Sequence, residues 1–544
     1  MDHSNTPSPA ETAALQQSIG SAFSLLRQAR PDTARTISDE LLAAHPAHAE
    51  VLYLASEVRL AQGETSAALE FISAAIAAAP GQLPLLLKKA RIHLALRRRA
   101  AARETAEAAC ELAGQDGQAL WAVGRVFGQC NALARASELY QQALDAGCSD
   151  PNLRYDLAVG QFFAGDFAGA EINIERMLVA APQAGHAVYR RSTLRQQTTE
   201  NNHVEDLQAR LQAANTDSNA RVACLYALAK ELEDLSRYPE SFTALNQAAA
   251  LKRLSLGYDA VSERAAIDAI RLAYSQAVMD EAGPSHPEAG AIFVVGMPRT
   301  GSTLVERMLG CHSEVSSAGE LLDFGQSLAT ATQARALTLP GMPMAEVSRL
   351  LDFAELGADY MTGLRQAAPP SRFIIDKMPI NFMYCGLIKK ALPNARIIHV
   401  HREPMDTCYA IYQTMFNQAY PFSCDLAELA GYYATYQRLM QHWRAVMPGQ
   451  ILDVSYEALL TDTGSQARRM LAFCGLEWQD ACLHPSASNA LATTASAAQV
   501  RQPIHSRSVQ KWRRYEAELA PLKAALIEAG VGVESGLVDS GLVE

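Results

Sequence analysis

The chain of 544 residues is too long for one hydrophobic core, so its length predicts two or three domains. The formal net charge of -11 argues against general nucleic-acid binding, and any anion site must therefore be a local basic patch. The first residues lack the basic start and apolar centre of a signal peptide, and no uncharged apolar stretch of about 18 residues follows. We therefore expect a cytoplasmic protein without a membrane span.

The cysteine and histidine pattern does not predict a metal site. The ten cysteines are scattered between Cys110 and Cys482, without a C-x-x-C pair or a Cys/His spacing typical of zinc. His399 and His401 lie two residues apart in an apolar run, but no nearby Cys or carboxylate completes a ligand set. We expect reduced thiols and no bound metal.

The first half of the chain carries an internal repeat of 34 residues. Alanine recurs at this interval, as Ala34, Ala68, Ala102, Ala136 and Ala170. Proline follows twelve residues later at Pro46, Pro80 and Pro182. Gly63 and Gly165 supply a turn between the two helices of a repeat, and Arg97 and Asn131 replace this glycine in between. This period, with small residues on paired helices, is typical of tetratricopeptide repeats.

We accordingly predict a tetratricopeptide-like helical domain at residues 1–255. A helical solenoid presents a concave groove, which suits docking of an acceptor protein or peptide, or dimerisation. An inert spacer or cap is the alternative. Residues 256–287 contain Gly283, Pro284 and Pro287 and are predicted to be a linker.

From about residue 288 the pattern changes to short apolar runs separated by helical stretches. The runs lie at residues 291–295, 372–376, 395–400 and 450–457. Continuous apolar runs that alternate with helices indicate parallel strands covered on both faces. The predicted fold class is thus an all-α solenoid followed by an α/β P-loop-like domain with a parallel sheet at 288–530, and a frayed tail at 531–544.

The segment "GMPRTGST", residues 296–303, follows the first predicted strand. Its glycines have the Walker spacing, but Ser302 stands at the position of the lysine. A loop at the end of a strand can offer backbone amides and a helix N-terminus to an anion. Arg299 keeps one cation in the loop, and Ser302 and Thr303 supply hydroxyls. Loss of the lysine favours a smaller anhydride, handled without magnesium, over a triphosphate.

This strand, loop and helix resemble the 5′-phosphosulfate loop of sulfotransferases that use 3′-phosphoadenosine 5′-phosphosulfate. The resemblance implies that the donor is held by Pro298, Arg299, Thr300, Gly301, Ser302 and Thr303. "IIHVHREPMDTCYA" resembles the second signature of that family, which implies that Arg402 binds the 3′-phosphate. Together with the repeats, the chain resembles bacterial tetratricopeptide-fused sulfotransferases and is similar to tyrosylprotein sulfotransferases.

The same resemblance implies the catalytic residues. "CHSEVSSAGE" resembles a tyrosylprotein sulfotransferase segment in which a histidine precedes a catalytic glutamate by eight residues, here His312 and Glu320. "IIDKMPINF" supplies Lys377 near the scissile bond. Tyr456, Ser496 and Lys511 are implied at the sulfuryl group and the donor phosphates. The predicted catalytic set is Glu320, Lys377, Arg299 and Ser496.

The chemistry of sulfuryl transfer needs residues of these types. A hydroxyl acceptor loses a proton as it attacks, so a carboxylate such as Glu320 is needed as general base. A cation such as Lys377 stabilises the charge that develops on the leaving group. The alternative interpretation makes Glu320 a solvated glutamate in the first turn of a helix and Lys377 an ordinary lysine after a strand.

Ala410 and Thr414 depart from the family pattern, which has a serine and an arginine at these positions. The resemblance therefore implies that up to two direct contacts of these positions to the 3′-phosphate are lost, and Thr407 is the nearby hydroxyl that would replace them. We expect the hydroxyl acceptor to be a protein tyrosine or a glycan. Two other functions remain open, namely a P-loop-type kinase or nucleotidase and an inactive nucleotide-binding scaffold.

Overall fold

The structure is a computed structural model that describes residues 9–213, 217–416, 418–485 and 506–533. The chain divides into two compact units, Met1–Gly160 and Gln161–Glu544. Within the described ranges, no helix combines the length and the apolar character needed to cross a lipid bilayer.

The first unit is built from paired helices. They are α1 Pro9–Arg27, α2 Pro31–Ala44, α3 Ala49–Ala61, α4 Thr65–Ala78, α5 Leu83–Ala95, α6 Arg99–Ala113, α7 Gly117–Gln129 and α8 Leu133–Asp145, and α9 Pro151–Ala164 spans the unit boundary. The repeated alanines Ala34, Ala68, Ala102 and Ala136 are all buried. A methyl group at these positions allows adjacent helices to pack closely, as the repeat pattern predicts.

The turns between helices also follow the 34-residue period. Left-handed backbone angles occur at Ala29, Gly63, Arg97, Asn131 and Gly165. Arg97 and Asn131 thus adopt φ values of 58° and 62° at the positions where other repeats have glycine. A side chain in this conformation costs roughly 1–2 kcal/mol, which the packing of the helix pair offsets. The predicted helical repeat region is confirmed.

The second unit begins with further helices. After α9 they are α10 Phe167–Ala180, α11 Gly185–Thr193, α12 Val204–Gln212, α13 Ser218–Asp234, α14 Tyr238–Ser255, α15 Ala260–Ala273 and α16 Gln276–Asp280. The segment 256–287, predicted as a linker, therefore contains α15 and α16. The Asp259 side chain caps α15 by accepting hydrogen bonds from the amides of Val261 and Ser262. The predicted domain limits at 255 and 288 stay predictions.

A parallel sheet of five strands forms the centre of the second unit. Its strands are β1 Ala291–Gly296, β2 Val315–Ser317, β3 Phe373–Asp376, β4 Arg396–His401 and β5 Ile451–Ser455. The order across the sheet is β2-β3-β1-β4-β5, and all neighbours are parallel. The predicted α/β fold with a parallel sheet is confirmed. The runs at 291–295, 372–376, 395–400 and 450–457 coincide with β1, β3, β4 and β5, whereas β2 was missed because it is short and contains two serines.

Helices connect the strands and also follow the last strand. They are α17 Ser302–Gly310, α18 Asp323–Ala336, α19 Met344–Ser348, α20 Phe353–Ala367, α21 Cys385–Ala391, α22 Pro404–Tyr412, α23 Leu426–Val446, α24 Tyr456–Thr461, α25 Thr463–Cys474 and α26 Ala520–Glu528. Strand β1 lies between β3 and β4, so the strand order reverses beside it. Ligands of open α/β sheets bind at the carboxyl ends of strands at such a point.

Candidate active site

The carboxyl ends of the strands carry the predicted site residues. The loop 297–301 follows β1, and Glu320 comes three residues after β2. Lys377, Arg402 and Tyr456 come directly after β3, β4 and β5. Because parallel strands end at one edge of the sheet, these residues converge on a single region.

Close backbone packing explains the glycines of the loop. Gly296 and Gly301 have φ values of 145° and 96°. A Cβ atom on Gly296 would lie 2.3 Å from the carbonyl oxygen of Val400, and one on Gly301 would lie 2.4 Å from the Tyr456 ring. No described side chain caps α17, which begins directly after Gly301, so its first amides can donate to an anion.

Arg299 occupies the middle of this loop with a left-handed φ of 68°. A non-glycine residue in this conformation costs roughly 1–3 kcal/mol, which is typical of functional loops. Desolvation lowers the pKa of the Arg299 guanidinium, and the nearby charge of Arg402 acts in the same direction. Two neighbouring cations that are poorly hydrated favour binding of an anion.

Arg402 is buried, with 6% of its surface exposed, and is held from several sides. It donates hydrogen bonds to the carbonyl oxygens of Ser508 and of Arg299, the latter at 3.5 Å. It pairs with Asp406 at 3.4 Å and lies over the Tyr456 ring, 5.1 Å from the centroid. Its buried Nε atom has no acceptor among the described residues. A rigid guanidinium with an unsatisfied N–H fits a phosphate ligand.

Two further predicted residues support the loop. The hydroxyl of Thr300 donates to the carbonyl oxygen of Met297 at 2.8 Å and so stabilises the turn from within. The Tyr456 hydroxyl lies 2.8 Å from the Ser508 hydroxyl, while the Tyr456 ring packs on Gly301. Tyr456 therefore connects the loop to the segment that also contacts Arg402.

Lys377 lies between two carboxylates. Its side chain is 1% exposed, and its Nζ atom donates a hydrogen bond to Glu320 and lies 3.9 Å from Glu306 Oε2. The Ser317 hydroxyl donates to Glu306 Oε1 at 2.5 Å. Burial raises the pKa of Glu306, while the charge of Lys377 opposes this effect. The buried ammonium group thus has one hydrogen-bonded carboxylate, Glu320, and a second acid, Glu306, nearby.

Asp376 fixes the segment that carries Glu320. It accepts hydrogen bonds from the Leu321 amide at 3.4 Å, the Tyr360 hydroxyl at 2.7 Å and the Asn381 amide group at 3.2 Å. Burial raises the pKa of this carboxyl group to about 7. Asp376 precedes Lys377, so one carboxylate positions both predicted catalytic residues.

A cavity of about 490 Å³, here named the aromatic cavity, opens beside the loop. Its polar lining residues are Arg299, Ser302, Thr303 and Glu320 near Pro298, together with Glu263. The rest of the lining is mostly apolar and includes Met378, Ile380, Phe416, Tyr420, Phe422 and Tyr432. Burial and the charge of Glu320 raise the pKa of Tyr420, which indicates that these two groups are close. The structure therefore brings Glu320 together with the loop around one cavity.

Other predicted residues lie elsewhere. His312 is buried, and its ring nitrogens contact the carbonyl oxygen of Glu477 at 3.0 Å and the amide of Glu314 at 3.1 Å, so it stabilises the turn before β2. Ser496 lies outside the described residues. Among the residues that are described, His, Cys, Asp and Glu side chains do not group in threes as a metal site would require.

Residues 291–480 match the family model described as "Sulfotransferase family". This segment is a sulfotransferase-family domain. An uncharacterised protein of Aquifex aeolicus is 32% identical over 335 residues, which cover 60% of this chain and 44% of that protein. Protein-tyrosine sulfotransferase 2 of Gallus gallus is 22% identical over 236 residues, which cover 41% of this chain and 63% of that protein. The chain thus spans less than two thirds of the length of either relative.

Among solved structures, the sulfotransferase domain from the Synechococcus PCC 7002 olefin synthase is similar to this chain. It is 21% identical, covers 46% of this chain and 96% of that domain, and has a TM-score of 0.34.

The sulfotransferase domain shares a second cavity with preceding helices of the same unit. This helix-lined cavity of about 210 Å³ is bordered by Arg299, Thr414 and Lys511, and by Tyr189, Lys230, Glu233 and Asp234 of α11 and α13. The Nζ atom of Lys511 donates to Glu233 at 2.5 Å and to Gln413 at 3.1 Å. Lys511, predicted at the donor phosphates, therefore lies with Arg299 in this cavity.

The residues that depart from the family pattern are also placed. The Thr414 hydroxyl donates to the carbonyl oxygen of Ala410 at 2.8 Å, and Thr414 borders the helix-lined cavity. The Thr407 hydroxyl, considered as a substitute, donates to the carbonyl oxygen of Arg402 at 3.2 Å. Thr407 thus supports the backbone of the sulfotransferase domain at Arg402.

Sequence reasoning missed several residues of the site. Glu306 lies four residues after Ser302 on α17 and so shares its helix face, a signal that was present in the sequence. Lys230 and Glu233 lie in a helix that was interpreted only as part of a repeat. No local pattern indicates that this helix borders the sulfotransferase domain.

Proposed function

We propose that this protein transfers the sulfuryl group of 3′-phosphoadenosine 5′-phosphosulfate to a hydroxyl acceptor. The family match supports sulfuryl transfer as the reaction class. The observation that carries the proposal is the position of Glu320, which borders the same cavity as the phosphate-loop residues and is bonded to the buried Lys377. A base, a cation and an anion cradle are the groups that this reaction requires.

The anion cradle supports donor binding. The uncapped amides of α17 and the side chains of Arg299, Ser302 and Thr303 would hold the 5′-phosphosulfate. The buried Nε atom of Arg402 would donate to a second anionic group of the same molecule. Arg299 and Arg402 are thus two cationic groups that match a nucleotide with two separate anionic groups, such as a 5′-phosphosulfate and a 3′-phosphate.

In the proposed reaction, the acceptor oxygen attacks sulfur while the bond between sulfur and the 5′-phosphate oxygen breaks. Glu320 accepts the proton of the acceptor hydroxyl. Lys377 stabilises the negative charge on the departing phosphate oxygen. Glu320 must leave Lys377 to reach the acceptor, and Glu306 then remains beside the ammonium group.

The aromatic cavity favours a phenolic acceptor, such as a protein tyrosine, over a glycan. Apart from the loop residues, Glu320 and Glu263, its lining consists largely of Met, Ile, Pro, Phe and Tyr residues. Phe416, Tyr420, Phe422 and Tyr432 give this lining an aromatic, apolar surface. Such a surface packs well against an aromatic ring but offers few hydrogen bonds to sugar hydroxyls.

We further propose that the repeats dock a macromolecular acceptor, because stacked helix pairs present an extended groove. Removing the first unit, residues 1–160, should then raise KM for a tyrosine-containing protein more than KM for a small phenol. An equal change for both acceptors would favour the spacer alternative. Dimerisation stays a prediction.

Calorimetric titration of the full chain tests the proposed function. Adenosine 3′,5′-bisphosphate should bind in the presence of a chelator, whereas ATP with magnesium should not. The opposite result would favour the kinase alternative. If the bisphosphate binds but the full donor yields no sulfated phenol, peptide or lysate component, the inactive scaffold is favoured.

A further inference from the structure

The helix-lined cavity contains more positive groups than the sulfotransferase domain supplies by itself. Arg299 borders it from that domain, Lys511 borders it from the segment that follows the domain, and Lys230 borders it from α13. Lys230 and Lys511 both lie outside the family match at 291–480. The cavity is thus a composite site whose wall includes the helices before the sheet.

The acidic groups of this cavity each accept at least two hydrogen bonds from donors of the protein. Glu233 accepts hydrogen bonds from Lys511 at 2.5 Å, from Tyr409 at 2.8 Å and from Tyr515 at 3.1 Å. Asp234 accepts from the side chain of Lys230 at 2.6 Å and from the backbone amide of Gln197 at 2.8 Å. These carboxylates orient the lysines and are bonded within the protein.

The lysines keep donor capacity. Lys230 donates to Asp234 and to the carbonyl oxygen of Arg195, and Lys511 donates to Glu233 and Gln413. An ammonium group has three N–H bonds, so each lysine can donate one more beyond these described partners. Desolvation lowers the pKa of Lys230, and an anion in the cavity would restore the interactions that water no longer provides.

Arg299 connects this cavity to the aromatic cavity, because this residue borders both. An adenylate whose 5′ group lies on the loop therefore has a second cationic site within the same region. We propose that the helix-lined cavity binds the 3′-phosphate of the sulfuryl donor, and that Lys230 of α13 contacts this phosphate together with Lys511. This inference rests on the proposed function.

The experiment compares two nucleotides on the full chain in the presence of chelator. Adenosine 3′,5′-bisphosphate carries the 3′-phosphate, and adenosine 5′-monophosphate lacks it. Lys230→Met should lower the affinity for the bisphosphate by about 10-fold to 100-fold, as expected for loss of a charged hydrogen bond. The affinity for the monophosphate should not change. Lys230→Arg should retain most of the affinity for the bisphosphate.

Arg221→Met is the matched control, since it removes an exposed cation from the same helix. It should change neither affinity. If Lys230→Met loses the same affinity for both nucleotides, or loses affinity for neither, the inference is overturned. The wild-type titration would still support the proposed function. If the wild-type protein binds neither nucleotide, the proposed function itself fails. Thermal unfolding without nucleotide identifies a variant that does not fold, and Lys230→Gln then replaces Lys230→Met in the same comparison.

Discussion

The buried Lys377 forms a hydrogen-bonded ion pair with Glu320, whose side chain is 38% exposed, although 57 residues separate them in the chain. Pairing of β2 with β3 creates this contact, and the amide of Lys377 also donates to the carbonyl oxygen of Gly319 at 2.8 Å. The proposed base and the proposed leaving-group cation are therefore in contact before a substrate binds.

Glu320→Gln should retain the affinity for adenosine 3′,5′-bisphosphate and lower kcat by about 10²-fold to 10⁴-fold, because the amide cannot accept the proton of the acceptor. Arg402→Ala should instead lower the affinity, because its guanidinium is held rigidly with an unsatisfied N–H. Calorimetry and steady-state kinetics on both variants separate these roles. Equal losses of affinity in the two variants would contradict the assignment.

Glu306→Gln should lower kcat more than it changes donor affinity. The carboxylate lies 3.9 Å from Lys377 Nζ and, in our proposal, is the charge that holds the ammonium once Glu320 turns to the acceptor. In the variant, Glu320 should stay paired with Lys377 and should not reach the acceptor. Because this pairing does not depend on protonation of residue 306, a higher pH should not restore kcat. Glu306→Asp should recover part of kcat, and a wild-type kcat in Glu306→Gln would disprove the role.

Gly301→Ala should weaken donor binding and destabilise the fold by roughly 1–3 kcal/mol, because φ is 96° and the new Cβ would lie 2.4 Å from the Tyr456 ring. Gly310→Ala at the other end of α17 is the control, since a Cβ there has no neighbouring atom within 4 Å. Thermal unfolding and bisphosphate titration measure both effects. Similar behaviour of the two variants would argue against a constrained loop.

Asp376 should make the protein less stable as the pH rises. Its pKa is 3.8 ordinarily and about 7 in the folded state, so the folded protein retains a proton that the unfolded chain releases between these values. The unfolding free energy therefore falls as the pH increases through this window.

Asp376→Asn removes this titration. The Tm of the variant minus the Tm of the wild type should therefore increase as the pH rises from 5 to about 8. The control is Glu355→Gln, which alters an exposed carboxylate on the helix that carries Tyr360. The Tm of this control should change with pH in the same way as the Tm of the wild type. If the Tm of Asp376→Asn also changes with pH as in the wild type, the Asp376 carboxyl group does not titrate in this range.

Local patterns determined much of the fold and part of the candidate site. The 34-residue alanine period, the apolar runs and the glycine spacing of the loop depend only on neighbouring residues, so the sequence predicted the repeats, β1, β3, β4 and β5, and the glycine-containing turn after β1. Lys377, Arg402 and Tyr456 could be placed together because each directly follows a strand, and parallel strands end at one edge.

Only the tertiary structure decided which side chains contact one another across distant segments. The pairing of β2 with β3 brings Glu320 to Lys377, and packing of α17 adds Glu306. Packing of α13 directs Lys511 toward Glu233 and forms the helix-lined cavity. These contacts depend on the order of strands and on helix packing, which no short stretch of sequence encodes, because the interacting residues are brought together only when the whole unit folds.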